Sequence, residues 1–94
     1  MAEDVKVAID HVVKILADAL TKRKEEGIEL ERTSRNFWSK VKKRITEDTA
    51  NKMESNPEDT ATQESLKTDL EEMMKTQNGK MGVVVFLYNQ GIEL

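Results

Sequence analysis

The apolar positions of this chain fall into periodic runs separated by breaks that carry glycine or proline. In the first run, Val5, Ala8, Ile9, Val12, Val13, Leu16, Ala19 and Leu20 recur at three- and four-residue steps. That spacing lines one face of a helix with 3.6 residues per turn and predicts a helix over about residues 3–26. Gly27 should end it, because glycine readily takes the left-handed conformation of a C′ position, with Ile28 folding back as the apolar contact of a Schellman-type cap. Thr33 or Ser34 then offers an N-cap before Phe37, Trp38, Val41 and Ile45, a run that extends toward Ala50 and Met53. One helix over 34–54 and two shorter ones fit this pattern equally.

The segment Ser55-Asn56-Pro57-Glu58-Asp59 is the clearest boundary. A capping side chain ahead of proline at the first helical position, with two acids in the first turn, predicts a helix over about 57–77. Leu66, Leu70, Met73 and Met74 form its narrow inner face, its outer face is acidic, and Asn78-Gly79 should end it. The last run, Met81 to Tyr88, is ambiguous, since Val83-Val84-Val85-Phe86 has strand propensity. No second convincing strand exists to pair with it, and an isolated strand leaves its backbone groups unsatisfied. The preferred reading is a short, nearly all-apolar helix over about 80–90 buried in the core, with a strand as the alternative. Gly-Ile-Glu-Leu occurs at 27–30 and again at 91–94. Its flanks do not match, so it reads as a shared stop signal and not a repeat. The expected fold is all-α, a single domain over residues 1–94 made of a small bundle of four to five amphipathic helices.

Composition sets the scale of the core. Ninety-four residues make one domain that buries about 60–65% of the surface exposed by the unfolded chain. Charged residues form 35% of the chain and hydrophobic ones 37%. The charge exceeds the roughly 25% of an average globular domain, and suits helices with solvated outer faces. There is no cysteine, which removes disulfides, thiolate nucleophiles and cysteine metal sites and points to a reducing compartment. The acidic start Met1-Ala2-Glu3-Asp4 is unlike a signal peptide, and no apolar run approaches the roughly 20 residues of a membrane span. An intracellular setting, cytoplasmic or nuclear and away from the membrane, is expected.

Catalytic chemistry finds little support. His11 is the only histidine, and it lies at the edge of the first apolar face, where an ordinary boundary role suffices. The carboxylate pairs Glu47-Asp48, Glu58-Asp59 and Glu71-Glu72 are sequence neighbours. On a helix such neighbours point about 100° apart and do not converge on one site. Phosphate-cradling glycine loops, nucleophile elbows and calcium loops are missing from the sequence. The expectation is a protein that is not an enzyme and needs no metal or other cofactor.

The net charge of −3 hides a polarised chain. Four acids against two bases leave residues 1–21 at −2, while nine bases against four acids make residues 22–44 +5. Nine acids against three bases make residues 45–79 −6, and Lys80 cancels Glu93 in the rest. A candidate basic face comprises Arg32, Arg35, Lys40, Lys42, Lys43 and Arg44, with Arg32, Arg35, Lys42 and Lys43 near one side of a helix opposite Phe37 and Val41. Such a stripe, with Ser34 and Asn36 as further donors, could follow a phosphate backbone, or simply be a solvated face. The candidate acidic face comprises Glu64, Asp69, Glu71 and Glu72. The two patches can neutralise each other within one molecule or steer association between molecules. The C-terminal Ile92-Glu93-Leu94 also has the apolar-x-apolar form that carboxylate-capturing grooves accept.

Residues 37–94 resemble the death-fold superfamily of six-helix signalling modules, which includes death domains and caspase-recruitment domains. Trp38 followed by Val41 and Ile45 is similar to the Trp-x-x-Leu-x-x-x-Leu pattern of a death-domain second helix. The Thr46–Met53 segment, the Asn56-Pro57 turn, the Leu66/Leu70/Met73 helix and the Gly79–Gly91 segment then resemble the third, fourth and fifth helices in order and spacing. The resemblance implies homotypic assembly through charged, complementary faces. The resulting expectation is a non-enzymatic interaction module that binds another protein or itself through charged helical faces. The alternative is a nucleic-acid binder that lays the basic second helix along a duplex, in the manner of a dimeric double-stranded RNA binder.

Overall fold

The computed structural model describes residues 2–92. Five helices follow one another: α1 (Ala2–Glu26), α2 (Arg32–Lys42), α3 (Glu47–Ser55), α4 (Thr60–Met73) and α5 (Gln77–Asn89). There is no strand among the described residues. The 25 residues of α1 rise about 37 Å at 1.5 Å each, which matches the 36 Å long dimension of the molecule. Each of the other four helices packs against this spine. Ala8, Ile9, Val12, Val13, Leu16, Ala17 and Leu20 on α1 share one core with Phe37, Trp38 and Val41 of α2, Met53 of α3, Leu66 and Leu70 of α4, and Val83, Phe86 and Leu87 of α5. The first helix and its apolar stripe are thus as the periodicity predicts.

The boundaries depart from prediction where side chains other than the expected ones cap the helices. Gly27 does stop α1 with a φ of +68°; its N–H donates to Arg23 O at 3.1 Å, the bond of an αL cap, and the Ile28 N–H donates to Lys22 O at 3.4 Å. The Ile28 side chain does not form the expected apolar contact, however, and the residue is 52% exposed. Leu30 is buried in its place. With Leu30 drawn inward, α2 starts early: Glu31 occupies the N-cap position, and Thr33 and Ser34 lie within the first turn. The run over 34–54 resolves into two helices, broken around residues 43–46. The break is held by Asp69 of α4, whose Oδ2 accepts from the Thr46 N–H at 3.1 Å and from the Thr46 hydroxyl at 2.8 Å.

Pro57 is not the first residue of a helix. It is buried in the turn between α3 and α4, and Asp59, two residues on, is the N-cap, accepting from Thr62 N at 2.9 Å and Thr62 Oγ1 at 2.8 Å. The hydroxyl and N–H of Thr62 hold the Asp59 carboxyl below its ordinary range. Nor does Gly79 end the fourth helix, which stops at Met73. Thr76 caps α5, donating to Met73 O and accepting from Gly79 N, each at 3.0 Å. Gly79 therefore sits inside the first turn of α5, where a Cβ would collide with the Met73 carbonyl.

The last apolar run is a helix, yet only half of it is core. Val83, Phe86 and Leu87 are buried, while Met81, Val84, Val85 and Tyr88 are exposed, in contrast to the buried helix expected there. At its end Gly91 has a φ of +80°, and Ile92 N donates to Leu87 O at 2.9 Å while Gly91 N donates to Tyr88 O at 3.0 Å. These are the two bonds of a Schellman motif, and Ile92 packs against the core. The second Gly-Ile pair thus closes as the first was expected to. The carboxylate motif ending in Glu93-Leu94 lies outside the described residues.

Candidate interaction surface

The fold uses part of the predicted charge internally. Glu54 on α3 is the centre: its Oε2 accepts from Trp38 Nε1 at 3.1 Å, Lys42 Nζ at 3.1 Å and Arg23 at 3.4 Å. Burial pushes its carboxyl up, but the Trp38 hydrogen bond, the Lys42 hydrogen bond and charge, and the Arg23 hydrogen bond outweigh this and hold it below its ordinary 4.5. The sequence signal for this cluster is slight, because Arg23, Trp38, Lys42 and Glu54 are far apart in the chain and only the fold brings them together. Lys42 accordingly faces α3 and leaves the predicted stripe. Ser34 leaves it too, being buried and bonded to Glu31 at 3.5 Å.

The acidic face is similarly occupied. Glu64 pairs with Lys67 at 3.4 Å and Glu72 with Lys75 at 2.9 Å, while Asp69 holds Thr46. Lys67 also reaches Asp10 on α1 at 3.4 Å. Its ammonium is held above the ordinary lysine range chiefly by the Asp10 hydrogen bond, with the Glu64 charge also raising it, against a burial effect that lowers it. Glu71 makes no ion pair among the described residues. The ion pair of α2 thus goes to α3, and those of α4 go to itself, to α1 and to Lys75 just past its end. The basic and acidic patches form no ion pair with each other, although Arg44 and Glu72 border the same small depression.

Of the predicted basic face, Arg32, Arg35, Lys40, Lys43 and Arg44 make no ion pair among the described residues, and all are exposed. Four of these five border one feature. A groove of about 590 Å³ runs between α2 and α5, with Arg32, Thr33, Asn36 and Lys40 on one wall and Met81, Val85 and Asn89 on the other. It continues past Gly82 into a depression of about 310 Å³ reached by Lys43 and Arg44. The floor is apolar: Phe37 and Phe86 stack with ring centroids 4.1 Å apart and planes within 5°. In a chain with 18 acidic residues, no carboxylate lines either part. Arg35 lies outside the groove.

Beside the groove, α5 shows Met81 at 55%, Val84 at 43%, Val85 at 51% and Tyr88 at 72% exposure. They stand at i, i+3, i+4 and i+7, one apolar stripe on the outside of the helix. Charge patterning alone could not reveal this surface, because the same residues that look like core in the sequence form its apolar half. Compared with protein-family models, curated proteins and solved structures, the chain matches none. The described residues hold no group of three or more His, Cys, Asp or Glu side chains placed to grip a metal. They also contain no helix long and apolar enough to cross a membrane.

Proposed function

We propose that this chain is a non-enzymatic interaction module that docks a partner protein on the face formed by α2 and α5. One observation carries the reading: an apolar groove and an exposed apolar helix face lie together, bordered by unpaired cations and free of carboxylates. An exposed contiguous apolar patch rimmed by polar groups marks interaction sites on folded proteins, and charge of one sign around it steers a partner of the opposite sign. The groove's lining includes no acid, histidine or cysteine, which supports a binding role over carboxylate, imidazole or thiol chemistry. The death-fold resemblance, kept as part of this proposal, implies the same class of function.

A peptide-display selection against the folded chain, repeated on Val85→Asp and Lys40→Glu, tests it. The expected ligands lose at least tenfold in affinity on either substitution. Ligands that bind both variants as well as the parent would move the interaction elsewhere. The nucleic-acid reading rests on the same cations, and titrating salt against generic double-stranded RNA and DNA decides it. A steep log–log fall in affinity with salt would favour phosphate contacts, and no binding at low salt would end that reading.

A further inference from the structure

We infer that the segment docked on this face is an amphipathic helix of nearly four turns, apolar along one edge and acidic on its flanks, lying lengthwise between α2 and α5. The inference rests on the docking reading above and adds the partner's chemistry. Both walls of the groove are helices whose backbone groups are satisfied internally, so no strand edge is available to pair with an extended peptide. The stripe Met81, Val84, Val85 and Tyr88 instead has the spacing of a helix-packing seam. The 13 residues of α5 span about 20 Å, which sets the length of the occupant.

Gly82 supplies a separate reason. A glycine in the middle of a helix sacrifices helix stability, and one is tolerated where another backbone must come close. A Cβ at Gly82 would meet nothing within 4 Å, so the residue is not required by packing inside this chain. It lies where the two parts of the groove join, which places the closest approach of the incoming helix there. Arg32 and Lys40 along one wall, with Lys43 and Arg44 at the end, then call for carboxylates on the occupant. Other occupants fit less well. The Phe37 and Phe86 rings stack on each other and are buried, leaving the floor no open ring for a base. The α5 of a second copy would match the apolar stripe but brings only Lys80 as a charge.

Three synthetic 14-residue peptides of leucine, alanine and glutamate test the inference by amide NMR and far-UV circular dichroism. The first places leucines at helical spacing with flanking glutamates, the second scrambles that order, and the third replaces glutamate by lysine. Only the first is expected to bind, gaining helix signal and shifting the amides of Lys40, Gly82 and Val85. Its affinity should fall at least tenfold in Lys40→Glu and in Gly82→Leu, whose new side chain enters open space and leaves the fold intact. Equal binding of the scrambled peptide, an extended bound form, or no binding would overturn the inference. A dimer that buries α5 and excludes the peptide would put a second copy there, and duplex RNA displacing the peptide would put nucleic acid there; either overturns it. Display-selected ligands that need Lys40 and Val85 but lack helical spacing would sink the helix and leave the docking face. Ligands indifferent to both residues would sink both.

Discussion

Helices α4 and α5 have nearly the same length, 14 and 13 residues, and each presents four buried residues to the interior. They differ on the outside. Five charged residues stand on α4, Glu64, Lys67, Asp69, Glu71 and Glu72, and most find a partner within the molecule. On α5 the only charge is Lys80, and Met81, Val84, Val85 and Tyr88 are large apolar residues turned outward. Water and internal partners complete α4, whereas α5 exposes apolar surface that stays in water at a cost of about 25 cal/mol per Å². The contrast separates a face finished by folding from one suited to be finished by binding.

The largest effects should show that the inner faces are alike. Leu70→Ala on α4 and Leu87→Ala on α5, both fully buried, are each expected to lower unfolding free energy by about 2–5 kcal/mol, measured by chemical denaturation. A much smaller loss at Leu87 would mean that α5 is only loosely packed and would break the comparison. Next come the two glycines of α5. Gly79→Ala forces a Cβ against the Met73 carbonyl and should cost about 1–3 kcal/mol. Gly82→Ala meets nothing and should stabilise by about 0.5–1 kcal/mol. Opposite signs sharpen the view that Gly82 serves a contact outside the chain.

A further test uses acid. The folded-state pKa of Glu54 is lowered, so the stability it contributes is present above its ordinary value of 4.5 and is lost as pH falls through that value and below. Glu54→Gln should therefore flatten the decline of melting temperature between neutral pH and pH 3, and an unchanged slope would remove this cluster from the acid response. The smallest expected effect is on the outer faces, where Val85→Asp and Glu71→Lys should each change stability by less than about 0.5 kcal/mol. That result would make any loss of binding in Val85→Asp a property of the surface.

The all-helical fold was legible because apolar spacing is a local signal, as in the α1 stripe from Val5 to Leu20. The helix ends were less so. Asp59 and Thr76 won the caps at which Pro57 and Gly79 had seemed decisive, because a side-chain acceptor three residues before a free N–H satisfies it directly. The break near residue 45 depends on Asp69, 23 positions from Thr46, which no local pattern announces. Of the candidate site, the cations Arg32, Lys40, Lys43 and Arg44 were readable as a basic cluster. Lys42 could not be assigned to Glu54 from sequence, nor could Val84 and Val85 be told from core, because hydrophobicity says that a residue prefers burial and not by what.

Photocrosslinking in the cells that make this chain tests the central claim most directly, with a crosslinking amino acid placed at position 85 on α5 and, separately, at position 71 on α4. A discrete protein adduct from position 85 and none from position 71 is the predicted result. An adduct from position 71 alone, or an adduct at position 85 that carries nucleic acid, would contradict it.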